Sequence, residues 1–414
     1  MTEDQQRAFG RRVAELRKAK GYTQQDLAAR INKTASWVSQ VERGVLVVQR
    51  LDVLRDLADA LGVSMQRLEP SVPSAEAEEV ATDSEVNDLD GARVLISGHP
   101  ALDALLPPAD GGEVAVPSLD ELVAQVDHVW ELAHSSQFAD LSAELQQVIP
   151  ILERTSRAVD NDRRPEVLHL LARTYQALAA SFVRQDEADA AWVAADRSIR
   201  AAEESGQPLE VCAGIFRLAH AFVRLKRLDQ AEHAARTALQ TLKAHLQNRQ
   251  ASPQERSIMG ALHLVLALIH SRGSRRPEAR AEINEARAVA QALGEDRNDY
   301  HLEFGPTNVE LWAVAIAVEL GDAGEAIDIG EAIDATGLSS ERQARLLMDL
   351  GRAYVQRRQV GEALDALLRA EELAPEMVRS HVAGRKAIHE LILLSGRGAS
   401  RELLDLAERA DATE

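Results

Sequence analysis

One cysteine, Cys212, is the whole thiol content of these 414 residues. An internal disulfide and a cysteine-cluster metal site are therefore excluded, and Cys212 is expected to be a small buried hydrophobe. Aromatic residues are scarce at 3%, while Ala, Leu, Glu, Arg and Gln dominate. That composition favours helix, and no run alternates apolar and polar residues in the manner of a half-buried strand. An all-α protein is expected. No uninterrupted apolar run approaches a membrane span, and the N-terminus lacks a basic-then-apolar signal, so no membrane partner and a cytoplasmic location are expected. Enzymatic signatures are missing too: no Gly-rich phosphate loop, no G-x-S-x-G elbow, no H-E-x-x-H. The histidines are scattered, and His263 and His270 share a helix without carboxylate companions. The acid pairs Glu203-Glu204 and Glu371-Glu372 look like solvated helix faces. No catalytic site, metal site or cofactor is expected.

Positive charge is also short, with 47 Lys+Arg against 66 Asp+Glu and a net charge of −19. The deficit is uneven. Residues 1–70 hold 12 Lys+Arg and 9 Asp+Glu, or +3, which leaves −22 for the rest. Electrostatic attraction to phosphate is local, so a basic head on an acidic body can still bind DNA.

What is present in the head is sharply patterned. The stretch TQQDLAARINKTASWVSQVERG, from Thr23 to Gly44, reads as two short helices joined by a tight turn. Thr23 and Thr34 are N-cap residues, since each hydroxyl can accept from an orphan N–H. Leu27, Ala28 and Ile31 form the buried stripe of the first helix, Val38 and Val41 that of the second. Asn32 sits in the turn. Ala35, Ser36, Trp37, Ser39 and Gln40 face outward, a short hydrogen-bonding surface of the kind that approaches base edges in a major groove. Ahead of this pair, residues 4–20 read as a helix with Phe9, Val13 and Leu16 inward and Arg11, Arg12, Arg17, Lys18 and Lys20 as a basic flank. After it, residues 50–61 repeat Leu51, Leu54, Leu57 and Leu61, and Ser64 to Leu68 closes a five-helix domain.

This pattern resembles the helix-turn-helix of the Cro/lambda-repressor (Xre-like) family over about Phe9 to Leu68. The resemblance implies a double-stranded DNA operator, an inverted repeat read by a homodimer, and a nucleoid-associated protein. The expected DNA contacts are Gln24, Thr34, Ala35, Ser36, Trp37, Ser39, Gln40 and Arg43. Ser36 and Gln40 reach base edges, while Gln24 and Arg43 hold phosphates. Trp37 meets either the DNA or the domain's own first helix.

Residues 71–118 read as an acidic flexible linker with a docking point around HPALDALL, since the span 71–121 has 12 acidic residues against the single Arg93. Residues 119–414 form a helical series that repeats. In LLMDLGRAYVQRRQVGEALDALLRAEELAP, residues Leu347, Leu350, Gly351, Tyr354, Ala363, Leu367, Ala370 and Pro375 fall where a tetratricopeptide repeat puts its large and small residues. The frame recurs around Ala191, Ala231, Ala279 and Ala326. Its spacing of 48, 47 and 37 residues from Ala231 to Ala363 exceeds the ideal unit, so helices are lengthened or loops inserted, as in SRGSRRP and GEDRNDYHLEFGPTN. Residues 120–158 read as a degenerate first hairpin and 377–410 as a terminal cap. The fold expected is a lambda-repressor-like head followed by a tetratricopeptide-type α-solenoid.

A head of this type on such a solenoid resembles the Gram-positive peptide-pheromone receptor regulators. It also resembles actinobacterial Xre-type regulators with a GPTN-containing repeat domain, matched here by Gly305, Pro306, Thr307 and Asn308. The resemblance implies a transcriptional regulator, not an enzyme, with a ligand in the solenoid groove. Placing each repeat in register puts Arg173, Gln176, Arg184, Phe216, His220, Arg224, Leu264, Arg272, Asn308, Leu311, Arg345, Met348 and Arg352 on the concave side. Six of these thirteen are Arg, which suits a peptide, a small acidic ligand or an acidic protein segment. The alternative is a repeat scaffold or antitoxin-like protein that holds a protein partner, with DNA binding secondary.

Overall fold

The computed structural model describes residues 3–31, 33–44, 57, 60–61, 63, 87–102, 105, 117–247 and 249–412. Among these residues there are nineteen α-helices and no β-strand, apart from one isolated bridge between Arg297 and Phe304. The chain divides into two compact units, Met1–Val86 and Asn87–Glu414.

In the first unit, α1 spans Glu3–Ala19, α2 Gln24–Arg30 and α3 Ala35–Glu42. Both short helices start as the sequence predicts. Thr23 and Asp26 form a reciprocal capping box, and the Thr34 hydroxyl accepts from Trp37 N at 3.1 Å. Phe9, Val13, Leu27, Ala28, Ile31, Val38 and Val41 are all buried, together with Leu57 and Leu61. The packing of α1 on α3 is close enough to require Gly10, where a Cβ would lie 2.4 Å from the Val41 carbonyl oxygen. Asn32, the VLVV connection, Leu51, Leu54 and the Ser64–Leu68 turn lie outside the described residues, as does the acidic stretch 71–86.

The second unit begins before the predicted repeats. Helix α4, Asp90–Ser97, buries Ala92 and Ile96 in the same core as Val129 and Leu145. Ala92 N donates to Ser142 Oγ at 3.0 Å, and Arg93 pairs with Asp189 at 2.7 Å. The expected linker 71–118 therefore needs correction. Residues 87–102 are folded onto the repeat body, because Leu89, Ala92 and Ile96 give this acidic stretch an apolar stripe of its own.

Six hairpins follow: α5 (Leu119–His134) with α6 (Phe138–Ala158), α7 (Arg164–Arg184) with α8 (Ala188–Glu204), α9 (Pro208–Arg224) with α10 (Leu228–His245), α11 (Pro253–Arg272) with α12 (Arg276–Leu293), α13 (Pro306–Glu319) with α14 (Ala323–Glu331), and α15 (Ser340–Gln356) with α16 (Val360–Leu373). Helices α17 (Pro375–Ser380), α18 (Val382–Ser395) and α19 (Arg401–Arg409) close the series.

The hairpins share one turn. Ser136, Asp186, Lys226, Ser274, Gly321 and Arg358 each take a left-handed backbone, with φ between 56° and 78°. The next residue's N–H then reaches back to a carbonyl five residues earlier, as from Glu187 to Phe182 and from Gln359 to Tyr354. This is the helix-ending arrangement usually built on glycine, yet only Gly321 is one. The repeat alanines Ala191, Ala231, Ala279, Ala326 and Ala363 are fully buried where helices touch. The solenoid is thus a tetratricopeptide-type series with variable helix and loop lengths.

First helices of successive hairpins pack on one another and form an inner face. Across that face Arg184 on α7 pairs with Glu341 on α15 at 2.8 Å, 157 residues apart. Among the described residues no helix is long and apolar enough to cross a membrane, and no group of three or more His, Cys, Asp or Glu side chains is arranged to hold a metal ion.

Candidate functional site

In the first unit α3 offers the candidate nucleic-acid surface. Val38 and Val41 anchor its inner side at 1% exposure, which fixes the rotation of the helix and leaves Ala35, Ser39 and Gln40 half-exposed and Arg43 exposed. The Gln40 amide makes no hydrogen bond with described residues. Arg43 Nε donates to the Ser39 carbonyl at 3.2 Å, at the end of the helix. Trp37 is half-buried and packs against the head's own core. The Ser36 side chain lies outside the described residues.

The positioning of α3 depends on one ion pair. Arg17 Nε and Nη2 donate to the two Glu42 carboxylate oxygens at 2.5 and 3.1 Å, and Arg17 Nη1 donates to the Tyr22 carbonyl at 2.6 Å. Gln24 Nε2 donates to Glu42 Oε2 at 2.7 Å. Burial pushes the Glu42 carboxyl up, but the hydrogen bonds from Arg17 and Gln24, with the Arg17 charge, hold it below its ordinary value. Two expectations change accordingly. Arg17 is not part of the basic flank, since it is 8% exposed and spent on Glu42. Gln24, expected on a phosphate, has its amide N–H engaged within the head.

In the second unit the thirteen residues placed on the groove divide. Arg173, Arg184, His220, Arg224, Arg272, Arg345 and Arg352 all stand on first helices, and the pairs Arg173–Asp127, Arg184–Glu341, Arg272–Glu319 and Arg352–Glu319 each join one first helix to another. Gln176 does not open to the inner face, being 1% exposed with its amide on Glu210 at 2.6 Å. Phe216, Leu264 and Met348, expected on the concave side, are core residues, and Asn308 is buried as well. Leu311 packs beside the core of α13 to α15. The first helices are enclosed on more than one side, so their apolar positions are taken by neighbouring helices and only the long cations reach the face.

The loop between α12 and α13 supplies what the sequence did not disclose. Phe304 is fully buried, with its ring directly over Gly260. Arg297 forks onto Asp299, which also accepts from Ser257 Oγ at 2.7 Å. At the GPTN end, Asp296 Oδ1 accepts from Thr307 N at 3.1 Å. A Cβ on Gly305 would meet Asp296 Cα at 2.4 Å, so the glycine permits that closure. The His301 ring stacks on Trp130 of α5 at 3.7 Å and 4°, its Nδ1 lies 3.2 Å from His134 Nε2, and its carbonyl accepts from Arg217 at 2.7 Å. Glu303 takes Arg342 of α15 through both side chain and carbonyl at 2.9 Å. Burial, then the charge of Arg173, push the His301 imidazole down to about 3, so it is neutral in this cluster.

Three other histidines are buried or half-buried, and two of them differ from expectation. Burial, then Arg217, Arg345 and Arg224, push His220 down to about 3. His263 and His270 do have a carboxylate: Glu282 on α12 lies 2.6 Å from His263 Nδ1 and 3.9 Å from His270 Nε2. This buried group ties α11 to α12.

Comparison with known proteins adds a description to the head. A helix-turn-helix domain family matches residues 8–70. The uncharacterized HTH-type transcriptional regulator YazB of Bacillus subtilis (strain 168) is 36% identical over 62 residues, 15% of this chain and 88% of that protein. Among solved structures, Bacillus thuringiensis PlcR in complex with the peptide PapR7 and DNA aligns at 11% identity and a TM-score of 0.33, covering 98% of this chain and 93% of that one. The APC/C hetero-tetramer Cut9-Hcn1 aligns at 14% identity and a TM-score of 0.34, covering 93% and 68%.

Proposed function

We propose the following for a chain that belongs to the helix-turn-helix transcriptional regulators: α3 reads an operator in double-stranded DNA, and the repeat unit senses a ligand and pairs two copies. The observation that carries the first part is the division of α3 into a buried side, Val38 and Val41, and an outward side whose Gln40 amide is free among the described residues. Gln40 reaches a base edge, with Ser36, Ser39 and Ala35 beside it and Thr34 at the N-terminal end of the helix. Arg43 holds a phosphate at the other end. A single recognition helix spans too few base pairs to select a site, so the operator is an inverted repeat read by a homodimer. In the repeat unit, Arg173, Arg184, Arg224, Arg272 and Arg352 are met by Asp127, Glu341, Asp186, Glu319 and Asp349, and Arg345 stands without a carboxylate partner among the described residues. An acidic ligand is therefore favoured there, and its binding is coupled to operator affinity.

Substitution tests the DNA reading. Gln40→Ala removes a bidentate amide and is expected to cost roughly 1–3 kcal/mol at one base position while other positions keep their preference. Arg43→Ala is expected to weaken all sequences alike and to reduce the slope of affinity against salt. Binding measured against a set of single-base operator variants distinguishes the two. A Gln40→Ala protein that discriminates every variant as the parent does contradicts the proposed register.

A further inference from the structure

The loop between α12 and α13 divides the inner face. Tyr300, His301 and Glu303 all adopt left-handed backbones, with φ of 55°, 52° and 51°, conformations that side-chain-bearing residues keep only when their surroundings hold them. Here the surroundings are Trp130 and His134 on α5, Arg217 on α9 and Arg342 on α15. The chain itself therefore covers the stretch nearest the first hairpins. An extended peptide running along the whole face would have to displace it.

The remaining stretch is built differently. His220 and Arg224 come from α9, Arg272 from α11, Arg345 and Arg352 from α15, and His381 from the residue before α18. Glu341, Arg345 and Arg352 stand at i, i+4 and i+11 of α15 and so share one side of that helix, and the charges of Arg224 and Arg345 act on both imidazoles. His381 accepts from Gly384 N through Nδ1 at 3.2 Å, which keeps that nitrogen unprotonated. The acids do not match the cations. Glu319 is shared by Arg272 and Arg352 at 3.0 and 2.8 Å, and Arg352 also takes Asp349 at 2.8 Å. Asp186 stands 3.5 Å from Arg224, and Glu341 is paired with Arg184. Arg345 is exposed and makes no hydrogen bond or ion pair with described residues. Arg217, on α9, pairs with no carboxylate among the described residues, and its Nε is buried without a hydrogen-bond partner there.

We propose that this stretch binds a compact anion carrying at least two negative charges, a phosphoryl group or clustered carboxylates, gripped by Arg345 and Arg224 with the Arg272 and Arg352 pair behind them. The inference rests on the ligand-sensing reading above and narrows it from an acidic ligand to a small polyanion. Guanidinium forks suit either chemistry because each presents parallel N–H donors to two oxygens of one group. Neutral His220 and His381 add hydrogen-bonding groups without adding charge to a site already crowded with cations.

The test uses the full chain, followed by thermal unfolding and titration calorimetry at constant ionic strength. The probes are sodium pyrophosphate for the phosphoryl arm, tricarballylate for the carboxylate arm, acetate as a single charge, and an extended poly-glutamate decapeptide. Pyrophosphate or tricarballylate is expected to raise the unfolding temperature where acetate and matched KCl do not, and the stronger of the two identifies the chemistry. Arg345→Gln, which breaks no contact of the fold, is expected to weaken that binding at least about tenfold. Arg345→Lys should retain part of it, and Arg280→Gln, on the second helix α12 with Asp322 and Glu325 as its partners, should retain all of it. Stabilisation equalled by KCl, or intact in Arg345→Gln, overturns the proposal. Binding of the decapeptide alone overturns it but leaves ligand sensing standing, whereas silence from every probe counts against both.

Discussion

Glu42→Ala is expected to loosen the whole DNA-binding head and abolish operator binding, although Glu42 faces no DNA. Its carboxylate collects Arg17 from α1 and Gln24 from α2 at the end of α3, so removing it leaves the Gln24 amide without its acceptor and Arg17 with the Tyr22 carbonyl alone. The side chains of the pair are 10% and 7% exposed. Breaking such a pair from one side costs about 3 kcal/mol or more, because the partner charge is left in poor solvent. A small domain has about 5 kcal/mol to lose. Hydrogen exchange in the full chain reports this directly: amides of 3–44 should exchange faster in Glu42→Ala, while those of the repeat hairpins stay protected. Glu42→Gln keeps the shape and one acceptor, and should fall between. The same pair sets a pH dependence. A carboxyl held below its ordinary value of 4.5 stabilises the head fully above that pH, and the contribution fades as pH falls through the folded-state value. Head exchange should therefore accelerate on acidification below about pH 4.5 in the parent and less steeply in Glu42→Ala, where the Asp26 capping box remains the acid-sensitive group.

Gly260→Ala is expected to be the most damaging conservative change in the repeat unit. Helix propensity alone favours alanine inside α11 by about 1 kcal/mol. Packing reverses the sign, since the added Cβ would sit 1.9 Å from Phe304 Cζ and 2.2 Å from Cε2. The ring cannot share that space and must leave a fully buried position, a loss comparable with truncating a core phenylalanine, about 3–5 kcal/mol. Displacing Phe304 also pulls on His301, three residues earlier, and so on the stack with Trp130. Lower thermal stability and altered tryptophan emission should appear together. Phe304→Ala in the same chain should restore part of the loss, because the two changes act on one contact. Gly260→Ala with parental stability contradicts the packing described.

The head was legible in the sequence because each of its signals is local. Thr23, Thr34, Leu27, Ile31, Val38 and Val41 lie within a few turns of one another, and capping and periodicity settle them. The repeat frame was legible for a related reason, since Ala191, Ala231, Ala279, Ala326 and Ala363 must be small wherever two helices touch. What escaped depends on distance along the chain. Arg17 looked like one more cation in a basic run until Glu42, 25 residues on, claimed it. Leu264 and Met348 read as apolar groove residues because periodicity marks a stripe without saying which neighbour covers it. In α11 fourteen of twenty residues are buried, so no single stripe exists to orient the helix. The inward turn of the loop after α12 was least visible of all. It rests on left-handed backbones at Tyr300, His301 and Glu303, residue types that do not advertise them, and on partners as far away as Trp130.

The claim beneath all of this is that the outward side of α3 reads base sequence. Selection of duplexes bound by the full chain from a random pool, sequenced after several rounds, tests it most directly. One enriched inverted repeat is expected, its half-sites about 10 base pairs apart centre to centre or a multiple of that, with the Gln40→Ala protein losing preference at one symmetric position. Recovery of duplexes with no enriched sequence, or an enriched motif unchanged by Gln40→Ala, contradicts it.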